Sequence, residues 1–411
     1  MPRRNVGAAG DGLEGGFSMS NLVEWFEFQV PGKVICAGHC VESIGGEMDN
    51  VGGSKVLVVT DEGVQNAGLT QTVIDGVDSG SAEVVGVFDQ VPPNSEIQVV
   101  QNCYDKVKES GADCLVSVGG GSVIDTAKAV TILMVEAGDL LDHQSAVYIP
   151  SGPMPPHISV PTTAGTGSES TFAAVIADHE QKMKLIFQGA ELAPTIAMLD
   201  PFVTTTLPPG LTASTGMDAL THCIEALHSE MHEPICDGLA LHGIRLISKY
   251  IARATADGGD IEARTYMLIA ANMGGIAFAN AFVGIIHAMA HSLGGHFGTP
   301  HGVANAILLP CGMEFNLRYV EEGIPASYRR VAEAIGLDVS GDDDDTAARK
   351  AIQWLRELTM EIGLPKQLSE VDVPEDGLAD AATDAMLDGS MFNNPGDPEE
   401  EEVLELYKKA F

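Results

Sequence analysis

Basic residues are scarce in this chain. Lysine and arginine number 22 against 58 aspartates and glutamates in 411 residues, and the net charge is −36. Proteins that hold nucleic acid or an anionic membrane need a basic footprint to meet the phosphates, so neither partner is expected. Hydrophobic residues make up 45% of the chain, enough for a full core, so the acidity is not that of a disordered polymer. A carboxylate-rich surface stays soluble, and it also suits a high-salt medium in which screening removes the self-repulsion. Cysteine is sparse too. Cys36, Cys40, Cys103, Cys114, Cys223, Cys236 and Cys311 are odd in number and irregularly spaced, which points to reduced thiols in a cytoplasm and not to a disulfide framework. Cys36 and Cys40 form a CxxxC pair, but no second pair completes a thiolate metal site. No apolar run follows Arg3 and Arg4, so the N-terminus does not read as a signal peptide.

A second absence is local. Residues 265–313 contain no Asp, Glu, Lys or Arg, a 49-residue gap in an otherwise highly charged chain. Within it, Tyr266 to Ile286 is long enough to raise a membrane-spanning helix. Asn272, Asn280, the Gly274–Gly275 pair and the histidines that follow fit a buried helix bundle lining a polar site better.

The length suggests two domains, at roughly 150 residues each, or three small ones. In the first half, apolar β-branched runs at 55–60, 82–88, 114–118, 157–160 and 195–199 read as buried strands, with helical patterns at 94–110 and 122–136 between some of them. That alternation predicts a mainly parallel sheet with crossover helices. Beyond Pro208 the strand signal ends and long Ala/Leu/Ile/Met-rich helical segments follow. The expected division is an extra N-terminal segment at 1–20, an α/β nucleotide-binding domain at 21–207 and an all-helical metal-binding domain at 208–411. A site is expected in the cleft between the two domains. The acidic runs at 341–345 and 398–402 read as solvated loop or helix-start acids, and no internal repeat is present.

Two polar loops carry phosphate-binding chemistry. The run Cys114–Val118 leads into Gly119, Gly120, Gly121 and Ser122 and then a helical segment, so backbone N–H groups and a helix N-terminus can approach an anion. Asp125, three residues on, suits a helix cap or a ligand contact. The loop Pro161 to Glu169, rich in hydroxyls and glycines and including Thr162 and Thr163, suits diphosphate, ribose or carboxamide contacts, with ordinary turn chemistry as the simpler reading. Asp61 directly follows the first expected strand, where a carboxylate can accept from an adenosine ribose and repel a 2′-phosphate, favouring NAD over NADP. It precedes the glycines by 58 residues. The usual dinucleotide fingerprint has the glycines first and the acid about 20 residues later, so a different nucleotide-binding arrangement is expected.

Metal-ligand chemistry follows. Asp218 and His222 are four apart and share a helix face, as do His287 and His291; His301 lies ten residues further on. The histidine pair is similar to a zinc-protease motif, but Ala288 stands where the catalytic glutamate would be. Asp218, His222, His287 and His301 make a set of one carboxylate and three imidazoles suited to Fe(II) or Zn(II), with positions open for substrate. His296 is close enough in sequence to be a supporting residue. Phe278, Phe282, Met289 and Phe297 suit either an apolar pocket or the core.

Together these residues resemble the iron-containing (group III) alcohol dehydrogenase family, from about Gly32 to the final helix. The segments that carry the resemblance are GGGSVIDTAKA (119–129), PTTAGTGSE (161–169), TGMDALTHCIEA (215–226) and HAMAHSLGGHFGTPHGVANAILLP (287–310). The resemblance places Asp218, His222, His287 and His301 at the metal-ligand positions. It places His291 near the nicotinamide as a relay for the substrate proton, and makes Asp61, Gly119, Gly120, Gly121, Ser122, Thr162, Thr163 and Lys184 cofactor contacts. It implies a dehydroquinate synthase-like architecture and reversible hydride transfer between NAD and a small alcohol or aldehyde. Fe(II) is the expected ion with Zn(II) as the alternative, and a cytoplasmic homo-oligomer, dimer or higher, is expected. The chain departs from the family at Ile35–Cys40, where a glycine-rich FGxG-like turn is usual, in some 20 N-terminal residues, and in its acidity. The rival enzymes are a dehydroquinate synthase-type lyase and a hydroxyacid–oxoacid transhydrogenase. The lyase needs basic residues around a phosphorylated, carboxylated substrate, and no Lys or Arg occurs from Leu185 to Ile244. A non-enzymatic metal-binding protein would leave both nucleotide loops unexplained.

Overall fold

The computed structural model describes residues 25–30, 32–136, 138–144, 147–178 and 183–411. The segment 1–20 lies outside the described residues, as does His179. The strands are β1 (Lys33–Cys36), β2 (Lys55–Val59), β3 (Glu83–Phe88), β4 (Cys114–Gly119), β5 (His157–Pro161), β6 (Ala173–Asp178), β7 (Met183–Gln188) and β8 (Ile196–Leu199). Six of them form one parallel sheet in the order β1-β8-β5-β4-β2-β3. The helices α1 (Ile44–Val51), α2 (Glu62–Asn66), α3 (Leu69–Val77), α4 (Ile97–Ser110) and α5 (Gly121–Val135) lie between these strands in sequence.

Parallel strands covered on both faces must be apolar throughout, and β4 and β5 are buried along their whole length, whereas β1 at the sheet edge is largely exposed. The polar groups on those central strands pair with each other: Ser117 Oγ lies 2.8 Å from His157 Nε2. Burial, with Lys128 nearby, holds His157 down at about 3, so the ring is neutral. The antiparallel pair β6–β7 stands outside the main sheet and packs against α5.

From Pro209 the described chain is helical: α6 (Pro209–His228), α7 (Pro234–Ala256), α8 (Ile261–Ala281), α9 (Ile285–Phe297), α10 (His301–Asn316), α11 (Ile324–Ala334), α12 (Asp344–Glu361), α13 (Leu378–Leu387) and α14 (Glu400–Ala410). The charge-free segment falls on α8, α9 and α10, whose apolar residues enter one large helical core with those of α6 and α7. No single helix among the described residues is long and apolar enough to cross a membrane, and α8 and α9 meet at a bend of 102°. Phe282 lies in that bend with φ 65, a backbone conformation costly for a bulky residue. The bend turns the start of α9, and with it His287, toward α6.

Candidate functional site

Asp218 and His222 lie one turn apart on α6, His287 in the first turn of α9, and His301 at the first position of α10. One donor atom from each lies within 4.8 Å of all the others. His222, His287 and His301 Nε2 stand 3.9, 3.7 and 3.3 Å from Asp218 Oδ1. Four donors each about 2.0–2.2 Å from a tetrahedral ion would be roughly 3.3–3.6 Å apart, so the Asp218 separations are that size or up to about 0.3 Å wider, and small side-chain shifts close the cage on a divalent cation. Burial lowers His222 to about 4 and His301 well below its ordinary value, leaving both lone pairs unprotonated at neutral pH. Burial would raise the Asp218 carboxyl, but His222, His301 and His287 together hold it well below the usual carboxylate range. Burial also opposes charge on His287, yet the Glu225 and Asp218 carboxylates raise it to about 9, which marks this ring as the point of the cage most favourable to positive charge.

The groups behind the cage escaped the sequence reading. Glu225, fully buried on α6, accepts from His287 Nδ1 and from the backbone N–H groups of Ile286 (2.8 Å) and His287. It thus caps the N-terminus of α9 and leaves His287 Nε2 for the cage. The available signal was its place three residues after His222 on the same helix. His291 lines the same cleft, stacks on His301 with centroids 5.2 Å apart, and donates from Nδ1 to Asp388 Oδ2 at 2.9 Å. Asp388 is itself fixed by the Ser390 N–H. No local pattern links residues 97 positions apart. His296 is not a supporting residue: it is exposed and paired with Asp384 on α13. Phe278 and Phe282 line the cleft, Phe278 stacking on His222 at 4.2 Å, whereas Met289 and Phe297 belong to the helical core.

The cage opens into a cleft of about 1750 Å³ that also runs past the carboxyl ends of the strands. That exceeds the roughly 300–1,000 Å³ of a single-ligand pocket and leaves room for a dinucleotide beside a second substrate. β4 ends at Gly119, and α5 begins at Gly121 with Gly120 as its N-cap. A Cβ on Gly121 would come within 2.7 Å of the Thr166 side chain and one on Gly119 within 2.6 Å of Val123, so this turn admits no side chain at either position. Gly120, Gly121, Ser122, Thr162, Thr163, Asp61 and Lys184 are all cleft residues. Asp61 Oδ1 also caps α2 through Val64 N at 2.8 Å, and Thr162 N donates to Gly119 O at 3.0 Å. Asp125 is not a helix cap. It accepts from Ser168 Oγ and Val175 N, while the fully buried Lys128 donates to Ser168 Oγ, Thr171 Oγ1 and Ala173 O, and together they bind α5 to the second polar loop.

Charge in the cleft is one-sided. Asp61, Glu62, Asp89, Asp125 and Asp218 line it, and Lys184 is the single Lys or Arg among its described residues. The turn Ile35–Cys40 is not among the cleft walls, and Cys36 is exposed while Cys40 is buried. Among the described residues, the donor cage above is the one grouping of histidine, cysteine and carboxylate atoms fit to hold an ion.

Residues 31–201 match the family described as iron-containing alcohol dehydrogenase, and residues 212–411 match its C-terminal part. The chain is 35% identical to a 1,3-propanediol dehydrogenase of Klebsiella pneumoniae, over 94% of this chain and 99% of the relative. It is equally similar, at 35%, to a choline dehydrogenase of Bacillus subtilis, over 96% and 97%. Among solved structures it superposes on a 1,3-propanediol oxidoreductase with a TM-score of 0.90 at 36% identity, covering 94% of this chain and 100% of that one. An archaeal halo-thermophilic alcohol dehydrogenase from a Red Sea brine pool gives 0.87 at 31% identity, covering 94% and 99%.

Proposed function

This chain belongs to the iron-containing alcohol dehydrogenase family and is an oxidoreductase acting on a CH–OH group, and from that premise we propose that the cleft oxidises a small, uncharged or cationic alcohol reversibly with NAD. The carrying observation is that the donor cage of Asp218, His222, His287 and His301 opens into the same cleft as the glycine turn at the start of α5. When bound, a divalent iron, or zinc as the alternative, supplies Lewis acidity to the alcohol oxygen, and the nicotinamide supplies the hydride acceptor.

The chain's own residues divide the remaining work. Gly120, Gly121 and Ser122 receive a diphosphate at a helix N-terminus, with Gly119, which is not a cleft residue, forming the tight turn behind them and Thr162, Thr163 and Lys184 completing the cofactor contacts. Asp61, with Glu62 beside it, turns away a 2′-phosphate and so selects NAD over NADP. His291, held through Nδ1 by Asp388, keeps Nε2 free to take or pass on the hydroxyl proton. Phe278 and Phe282 give the substrate end an apolar wall.

The acid-lined cleft with its single lysine disfavours carboxylated and phosphorylated substrates, and therefore both the dehydroquinate synthase-type lyase and the hydroxyacid–oxoacid transhydrogenase. We read the chain as two domains, 21–207 and 208–411, in a cytoplasmic homo-oligomer whose acidity is an adaptation to high salt. Replacing His287 by Ala tests the assignment: the variant is expected to lose both bound metal and alcohol-dependent NADH formation. Full turnover by metal-free His287→Ala protein would refute it.

A further inference from the structure

Asn305 lies one turn after His301 on α10 and is fully buried. Its Nδ2 is 2.7 Å from Asp218 Oδ1 and 3.2 Å from Nε2 of both His287 and His301, so one amide nitrogen touches three of the four donor atoms of the cage. An amide NH₂ has two hydrogens and only donates, so it cannot itself ligate a cation. Its orientation follows from charge: with the amide turned over, a carbonyl oxygen would sit 2.7 Å from a carboxylate oxygen. In the observed orientation Oδ1 has no hydrogen-bond partner, so the amide is oriented through its nitrogen alone. All four cage residues line the cleft, but Asn305 does not.

We propose that Asn305 is the positioning residue of this metal centre, fixing Asp218 by a charge-assisted hydrogen bond and closing the rear face formed by Asp218, His287 and His301. The open coordination position is then left on the cleft side, where an alcohol enters. This inference rests on the metal-centre reading above and adds to it a residue that controls how many donors the protein supplies. Asn305 keeps the number at four, because a side chain with an oxygen in place of the NH₂ would offer a fifth.

The test compares wild-type protein with Asn305→Leu and Asn305→Asp, each stripped of metal and retitrated anaerobically with Co(II) against a competing chelator. Asn305→Leu has similar volume and no donor; its Co(II) dissociation constant is expected to rise about 10- to 100-fold, the usual cost of losing a group that orients a ligand. NADH binding, read by fluorescence, should stay within about twofold, because Asn305 is not a cleft residue. Asn305→Asp should bind Co(II) at least as tightly as wild type but with an altered visible absorption spectrum, since an added carboxylate donor changes the ion's coordination. Wild-type affinity in Asn305→Leu, or a wild-type spectrum in Asn305→Asp if the leucine variant does not fold, overturns the proposal. Failure of the wild-type protein to bind any divalent ion would instead overturn the metal-centre reading itself.

Discussion

At the scale of single residues, the site divides into groups that hold the ion and groups that hold those groups. Glu225 belongs to the second kind and performs two tasks with one carboxylate, capping α9 and orienting His287. Changing it to Gln preserves the shape but removes the charge that steadies the His287 N–H. Metal affinity is expected to fall about 10- to 100-fold, measured by the same chelator competition, with NADH binding unaltered. Equal metal affinity in Glu225→Gln and wild type would show that the carboxylate serves only as a helix cap. The ligands were legible because a helix converts a spacing of four into a shared face, and because histidines stand out in a segment emptied of charge. Asn305 carried the same signal, four residues after His301 on one helix, but its neutral side chain did not suggest a role at an ion. Asp388 was not legible, because it reaches His291 only through the packing of the C-terminal helices around α9.

At the scale of elements, the expected strands at 55–60, 82–88, 114–118, 157–160 and 195–199 appear as β2, β3, β4, β5 and β8 with ends moved by at most one residue. Their apolar character follows directly from burial on both faces. β1 was missed because an edge strand only partly buried needs no such run, and the β6–β7 hairpin because its signal is weaker. β6 reads AAVIAD and β7 MKLIFQ, with no sustained apolar–polar alternation and no glycine in the four positions between them, so the two faces of β6 show only in its burial, where alternate residues are covered. β7 carries Lys184, which the sequence reading reached only through the family resemblance. The acidic runs are helix starts. Asp343 caps α12, with Asp344 and Asp345 in its first turn, and Glu399 and Glu402 form a capping box at α14. A pH effect belongs to the central sheet. Because folded His157 is held near 3, the unfolded chain takes up a proton at this site at any pH between there and about 6.5. Its contribution is therefore complete above about 6.5 and declines as the pH falls, by about 1.4 kcal/mol per unit, or about 2 kcal/mol by pH 5. Urea midpoints at pH 7 and 5 should show this loss in wild type and a smaller one in His157→Gln. Equal losses would mean that His157 is not the group responsible.

For the whole molecule, 58 acids against 22 bases set a field that repels the cofactor's diphosphate as well as the chain's own surface from itself. The Debye length falls from about 10 Å at 0.1 M salt to about 3 Å at 1 M, so both repulsions weaken over that range. Raising KCl from about 0.1 to about 2 M is expected to raise the thermal midpoint and lower the KM for NAD. A midpoint that falls with salt would contradict the high-salt adaptation while leaving the chemistry untouched. Hydride transfer between a metal-held alcohol and NAD in one cleft is the proposal on which the rest depends. The decisive experiment supplies metal-reconstituted protein with NAD and a primary alcohol carrying two deuterium atoms on its carbinol carbon, then weighs the reduced cofactor. NADH one mass unit heavier is expected, with the deuterium at nicotinamide C4 and a slower rate than with unlabelled alcohol. Accumulation of unlabelled NADH, or metal-loaded enzyme that returns every NAD unreduced across simple alcohols, diols and choline, would contradict it.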